Sequence, residues 1–331
     1  MEKRLNMKKN ILIILTGGTI SMKASDPAGV IPSNEFADFL RQFPQLNSVA
    51  NVEVMDYLNI PSPYMTPEMM FELAKLVDLK IIDYDGIVIT HGTDTLEETA
   101  YLCDLVLTTR KPVIFTAAMR SGNEIGLDGP RNIIGSVRVA CHPDSIDKGV
   151  LVVMNDEIHT ARDVVKSDTG KIDSFISPGY GPVGIVDPDK IVYHRTSLYK
   201  DNVWTDQLDT KVELIKAAAG MDGKFIRCCM ENDIKAIVIE AFGRGNLPKS
   251  LVPDIQAAIA KSILVVITSR TYTGRVLAEY GYEGGGKHLE TLGCILASDM
   301  KGVKVRLKLM ALFGKYHDVD IVKRFFKQSV L

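Results

Sequence analysis

Apolar residues along this chain gather in short unbroken runs, and most runs are followed by a stretch in which they recur every third or fourth position. The runs at 11–15, 86–90, 112–116 and 149–154 are too short for buried helices and read as strands covered on both faces, as in a parallel sheet. Residues 52–57 read as one more strand. Helical spacing is read at 35–43, with Ser33 or Asn34 as N-cap, and at 67–77, opened by the cap-and-proline pair Thr66-Pro67. It is read again at 96–107, through Leu96, Ala100, Cys103, Leu105 and Leu107, and at 132–141. Two segments break the pattern. Residues 21–34 read as a loop of the length of a lid or binding loop, with a merely solvated connection as the plainer alternative. Residues 59–66 carry two prolines that preclude helix and stiffen the backbone around Ser62. Residues 158–171 read as a polar connection containing Lys166.

The alternation weakens in a loop after Pro178, and the polar stretch 192–210 is the expected linker. Strands then follow at 212–218, 236–241 and 263–268, with helices at 223–231 and 249–261. A glycine run at 284–286 has no clear helix behind it, and amphipathic helix closes the chain at 306–313 and 318–326. The expected fold class is therefore α/β, with a larger N-terminal parallel-sheet domain over 1–191 and a smaller C-terminal α/β domain over 211–331.

Polar residues concentrate where two of the strands end. In GIVITHGTDTLEE, residues 86–98, a buried strand runs into a turn with one His, two Thr and one Asp just before a helix begins. In open α/β sheets that carboxyl edge is where ligands bind, and helix N–H groups can face an anion there. In NILIILTGGTI, residues 10–20, two glycines let the chain turn sharply or approach a ligand, but the spacing is that of neither phosphate-binding glycine motif. Thr19 and Thr93 are thus candidates to attack a carbonyl. A hydroxyl needs a base, a donor for the leaving group and dipoles for the oxyanion. With no Ser/His/Asp pattern in view, a buried lysine can be that base, and Lys166 lies in the same domain. Asp94 can hold the ammonium or bind a substrate amine. Spacing alone leaves this open, because Thr and Asp at a helix start cap more often than they catalyse. His91 looks like a general base, yet a ring beside a glycine more often holds the turn through backbone. Arg120 and Arg131, near Asp128-Gly-Pro130, can bind a carboxylate or serve the structure.

Composition narrows the partners. A formal net charge of −2 gives no reason to expect nucleic acid or an anionic membrane surface, which leaves small neutral or zwitterionic molecules. Apolar runs fall far short of the roughly 18 residues of a membrane span, and the basic start MEKRLNMKKNILIILTGG lacks a cleavage site, so a cytoplasmic location is expected. Five cysteines without C-x-x-C spacing argue against a disulfide framework, and six scattered histidines predict no metal.

Taken together, Thr16-Gly-Gly-Thr-Ile20 and His91-Gly-Thr-Asp-Thr95 followed by Leu-Glu-Glu-Thr99 resemble the two active-site signatures of the bacterial L-asparaginase and glutaminase-asparaginase family, in order and at about the family's separation. Ala118-Met-Arg120, Asp128-Gly-Pro130, Arg162-Asp-Val-Val-Lys166 and Gly245-Asn-Leu247 also fall where the family has counterparts. The resemblance, closest to cytoplasmic members, implies a flavodoxin-like larger domain and asparagine catabolism: hydrolysis of the side-chain amide to aspartate and ammonia without a cofactor. It implies Thr19 as the primary nucleophile, Thr93, Lys166 and Asp94 as a second group with the lysine as base, Ser62 on the α-carboxylate and the Ala118 backbone at the amide. It also implies an intimate dimer, usually paired into a tetramer, in which the neighbouring subunit's smaller domain completes each site; Asn246 and Glu283 are the candidates. Two departures stand out. The segment 21–34 lacks the tyrosine that family members carry there, and Pro63 and Tyr64 replace a polar pair beside Ser62. The alternatives are a related amidase preferring L-glutamine, a D-amino acid or another amide, and a non-catalytic amino-acid-binding homologue.

Overall fold

A computed structural model of the chain describes residues 8–18, 20, 22–25, 29–32, 40, 44–122, 124–199 and 201–330. They form two compact units that divide between Asn202 and Val203. Thr19 and most of the helix expected at 35–43 lie outside the described residues.

In the first unit, five parallel strands build the heart of an eight-stranded sheet among the described residues. Their order is Asn51–Ile60, Asn10–Gly17, Gly86–Thr90, Val113–Thr116 and Val150–Met154. The chain therefore starts in the sheet, steps to one side, and returns past its first strand to build the other side. This is the flavodoxin-like order expected, and it opens a crevice between Asn10–Gly17 and Gly86–Thr90, where successive connections diverge. Ile11 to Leu15 and all of Gly86–Thr90 are buried, as strands covered on both faces must be. One face packs Ile11, Ile13, Val88, Ile114 and Leu151 against Ile133 and Val137 of the helix Gly129–Cys141. Helices Pro67–Lys80 and Leu96–Val106 pack on each other, and the second also against Val113–Thr116 and Val150–Met154.

The structure differs from the sequence reading in the shorter pieces. Residues 158–171 are not one polar connection: Glu157–Thr160 is a strand antiparallel to Val150–Met154, joined through Asn155 and Asp156 at φ 49° and 62°. That two-residue turn with both centres left-handed matches the twist of a hairpin, and Asn and Asp tolerate it well. Lys166 then sits on the strand Val165–Lys166, paired antiparallel with Phe175–Ile176. Gly184–Val186 and Ile191–Tyr193 extend the large sheet antiparallel beyond the loop after Pro178. Within 21–34, Met22–Ser25 and Gly29–Pro32 pair as a short antiparallel ladder. Ser62–Tyr64 winds into a single 3-10 turn, the tight geometry that the flanking prolines leave available.

The second unit is a parallel sheet, in the order Val212–Lys216, Ala236–Ala241, Leu264–Ser269 and Ile295–Leu296, with Ile237, Ile239, Val265 and Ile267 in its core. The glycine run does precede a helix, Gly286–Leu292, and the final helices run Gly302–Tyr316 and Val319–Val330. The first of these is buried almost all round through Leu307–Gly314, so its pattern is that of a central helix more than an amphipathic one. Among the described residues, no helix is long and apolar enough to cross a membrane.

One local contact sets where a helix beside the site begins. The Thr66 side chain accepts from Met69 N at 3.3 Å, one turn after Ser62, and Pro67 fills the first helical position. Thr66→Ala is expected to lower stability by about 1 kcal/mol, read as a shifted urea midpoint at unchanged slope.

Candidate active site

Two strand ends meet at the crevice. Leu15 pairs with Thr90 across the sheet, and one residue on the Thr16 hydroxyl donates to Thr90 O at 2.8 Å, which ties the two ends together. Beyond it Gly17 and Gly18 stand at φ 103° and 83°, backbone that side chains resist. A Cβ on Gly18 would lie 2.3 Å from Gly92 Cα, and one on Gly92 would lie 2.6 Å from the Ser62 Cβ and Oγ. The two signature turns therefore touch backbone to backbone, and the Ser62 side chain packs directly on Gly92.

Ser62 is buried, and its groups organise the second turn. Its hydroxyl accepts from Asp94 N at 3.2 Å, and its carbonyl accepts from the Thr95 hydroxyl at 2.8 Å. Into this corner the Val165–Lys166 strand brings its lysine. Lys166 Nζ donates to Thr93 Oγ1 at 2.9 Å and to Asp94 Oδ1 at 2.7 Å, while its backbone N–H reaches Glu97 Oε1 at 3.4 Å. Thr93 is 7% exposed, whereas the Asp94 side chain is more than half open to solvent. One ammonium thus bridges an enclosed hydroxyl and an accessible carboxylate. A proton can pass between lysine and hydroxyl without crossing water.

His91 is fully buried. Its Nδ1 lies 2.8 Å from Gly92 O, and its Nε2 lies 3.0 Å from Thr99 Oγ1. A carbonyl can only accept, so Nδ1 carries the proton and Nε2 accepts from the Thr99 hydroxyl. Burial pushes the ring's pKa down to about 4, and the imidazole is neutral near pH 7, holding the turn. On the adjoining turn Asp128 accepts from Met119 N and Arg120 N, both at 3.0 Å, and Asn132 donates to Ala117 O at 2.9 Å. These bonds frame buried Ala118. Arg120 donates to Ile125 O and Gly126 O, and Arg131 to Asp156, so both guanidiniums serve the structure.

The structure therefore brings together Thr93, Asp94, Lys166 and Ser62, with Ala118 on the neighbouring strand end. Thr19 follows directly on Gly18, outside the described residues. Asn246 and Glu283 belong to the second unit, on turns joined by Leu247 N to Gly284 O; the Asn246 side chain accepts from Gly286 N at 3.2 Å, and Glu283 is exposed. Sequence reasoning passed over Thr16, Thr95 and Glu97. Their place inside the two signatures was a signal, but their roles are bonds across the fold. Among the described residues, no three His, Cys, Asp or Glu side chains gather as a metal site.

A hydroxyl, an ammonium and a carboxylate meeting at the crevice of a doubly wound sheet are the groups that hydrolase sites use. Comparison with known proteins gives that class a family. Residues 10–199 match the family described as Asparaginase, N-terminal, and residues 211–326 match the Glutaminase/Asparaginase C-terminal domain. The chain is 34% identical to an L-asparaginase of Bacillus licheniformis, over 94% of this chain and 98% of that protein. It is 36% identical to a probable L-asparaginase of Deinococcus radiodurans, over 97% and 98% respectively. The crystal structure of a probable cytoplasmic L-asparaginase from Campylobacter jejuni superposes with a TM-score of 0.85 at 30% identity, covering 96% of this chain and 99% of that one. The chain belongs to the asparaginase family, as its two signatures led us to expect, and is an amidohydrolase.

Two predictions follow from the packing of these turns. Gly18→Ala forces a left-handed residue against Gly92 and is expected to cost about 1–3 kcal/mol for the backbone conformation alone, read by urea unfolding. For His91 the folded-state pKa lies below the unfolded value of 6.5, so the unfolded chain binds the extra proton. Its contribution is present above pH 6.5 and is lost as pH falls toward about 4, by up to roughly 1.4 kcal/mol per pH unit. Unfolding titrations between pH 7 and pH 4.5 should show a shallower fall for His91→Gln than for the native chain.

Proposed function

We propose that the protein hydrolyses L-asparagine to L-aspartate and ammonia through a threonine ester. The observation that carries this reading is the bridge of Lys166 Nζ between Thr93 Oγ1 and Asp94 Oδ1, with the Asp94 N–H donating to the Ser62 hydroxyl. Thr19, next to Gly18, attacks the side-chain amide carbon. Its proton goes to the departing nitrogen, the C–N bond breaks, and ammonia leaves. Thr93 positions and activates the water that opens the ester, Lys166 in its uncharged amine form takes and returns that water's proton through the Thr93 hydroxyl, and Thr19 regains its hydrogen. The Ser62 hydroxyl binds the substrate's α-carboxylate, Asp94 binds its α-ammonium, and the Ala118 backbone meets the amide.

Asn246 and Glu283 complete the α-group contacts from the smaller domain of a neighbouring subunit, in an intimate dimer that pairs into a tetramer. The enzyme works in the cytoplasm, a reading favoured by the name of the Campylobacter jejuni protein. The other acceptable substrate within this site is L-glutamine, whose carbonyl is one methylene further from the α-groups. The family description of the second domain names both activities.

Ammonia release measured across L-asparagine, L-glutamine, D-asparagine and simple amides tests the substrate. L-Asparagine should give the highest kcat/KM. Lys166→Met is expected to lower kcat by about 10²–10⁴-fold, the usual contribution of a positioned base, in a chain with native circular dichroism. Thr19→Ala and Thr93→Ala should be at least as damaging. Full activity in all three variants would overturn the assignment. A melting temperature raised by L-aspartate with no amide hydrolysed would instead mean a binding protein.

A further inference from the structure

Lys166 stands on a ladder of two residues against two, Val165–Lys166 on Phe175–Ile176, extended by Ser167 N and Oγ to Ser174 O at 2.6 and 2.8 Å. A ladder this short does not hold its own position, so its place against Thr93 depends on how its two arms are tied to the large sheet. The outgoing arm is fixed by a turn: Asp163 N and Val164 N donate to Thr160 O, and the Thr160 hydroxyl donates to Asp163 Oδ2 at 2.9 Å. The return arm leaves Phe175, the partner of Lys166, and two residues later reaches Ser177, about 7 Å along the strand. There the Ser177 hydroxyl lies 2.9 Å from His159 Nδ1.

His159 belongs to the sheet strand Glu157–Thr160, opposite Val152, and its side chain is wholly buried. Glu157 Oε2 lies 3.2 Å from the ring's Nε2, off the N–H axis, which makes this an electrostatic contact more than an aligned hydrogen bond. A carboxylate favours the proton on the nitrogen it faces. That leaves Nδ1 to accept from Ser177, so the direction of the bond is set. Serine, histidine and carboxylate lie in the sequence of a nucleophilic triad, but Ser177 is only 3% exposed and out of a substrate's reach. The cluster is a clamp.

We propose that His159 is a positioning residue for Lys166: through Ser177 it ties the return arm of the lysine's hairpin to the large sheet, and so keeps Nζ between Thr93 and Asp94. The proposal rests on Lys166 being the base of the reaction. Misplacing a catalytic group by about 1 Å costs on the order of 10²-fold in rate while leaving ground-state binding largely alone.

The test compares His159→Leu, which removes the acceptor, with His159→Asn, which can return an oxygen near the Nδ1 position; Ser177→Ala removes the partner. Two readouts apply in the full-length protein: hydrogen exchange of the amides over residues 165–177, and kcat and KM for L-asparagine. His159→Leu and Ser177→Ala should speed exchange in this segment by about tenfold or more and lower kcat by about 10–100-fold, with KM within about threefold. His159→Asn should recover most of both, and the Leu/Ala double variant should be no worse than either single one. Native exchange and kcat in the Leu and Ala variants would overturn the proposal, as would an Asn variant as impaired as Leu. If His159→Leu fails to fold, Ser177→Ala decides alone. A native protein that releases no ammonia from any amide would remove the asparaginase reading, and the exchange comparison would then decide the clamp by itself.

Discussion

The whole site hangs on one close approach of backbone to backbone. Gly18 and Gly92 meet where the first and third strands of the parallel sheet end, so near that a methyl group on either would enter the other turn or Ser62. Ridges of side chains normally keep strand-end loops apart; here their removal lets three turns from distant parts of the chain share one corner. The crevice of a doubly wound sheet offers the place, and the glycines decide how tightly it closes. Thr93, Asp94 and Ser62 inherit their positions from that contact.

The lysine reaches the corner by another route. The parallel strands end in turns that supply hydroxyls, carboxylate and backbone N–H groups, but Lys166 comes from a separate two-stranded ladder that follows the antiparallel strand Glu157–Thr160. Antiparallel neighbours can be joined by two residues, so the chain doubles back at Asn155-Asp156 and again through the Lys166 hairpin with little length spent. An appended piece thereby carries the lysine whose Nζ reaches both Thr93 and Asp94. Its anchoring through Thr160, Asp163, His159 and Ser177 matters for that reason.

Several residues with catalytic chemistry are occupied elsewhere. His91 is the plainest: it stands two residues before Thr93, yet its ring points into the core, is kept neutral by burial, and holds the Gly92 carbonyl and the Thr99 hydroxyl. Asp128 is consumed by the backbone of Met119 and Arg120, and Arg131 by Asp156. A reactive side chain acts where its polar atoms remain available to a ligand, and these do not.

Much of this was legible in the residues themselves. Unbroken runs such as Ile11 to Leu15 announce strands buried on both faces, because such strands need apolar side chains at every position, and the turn residues that follow them mark the carboxyl edge. The Thr66-Pro67 start and the two signature turns are local patterns with local causes. The strand Glu157–Thr160 was hidden, although Asn155-Asp156 was a usable hairpin signal, because four residues with one charged and two polar members carry too little periodicity. The tertiary structure alone decided that Lys166 meets Thr93, 73 residues earlier in the chain, and that His159 and Ser177 hold it there. Sequence order constrains contacts within a turn or a helix; which distant turns converge depends on strand order and register, and those are settled only when the whole sheet is packed.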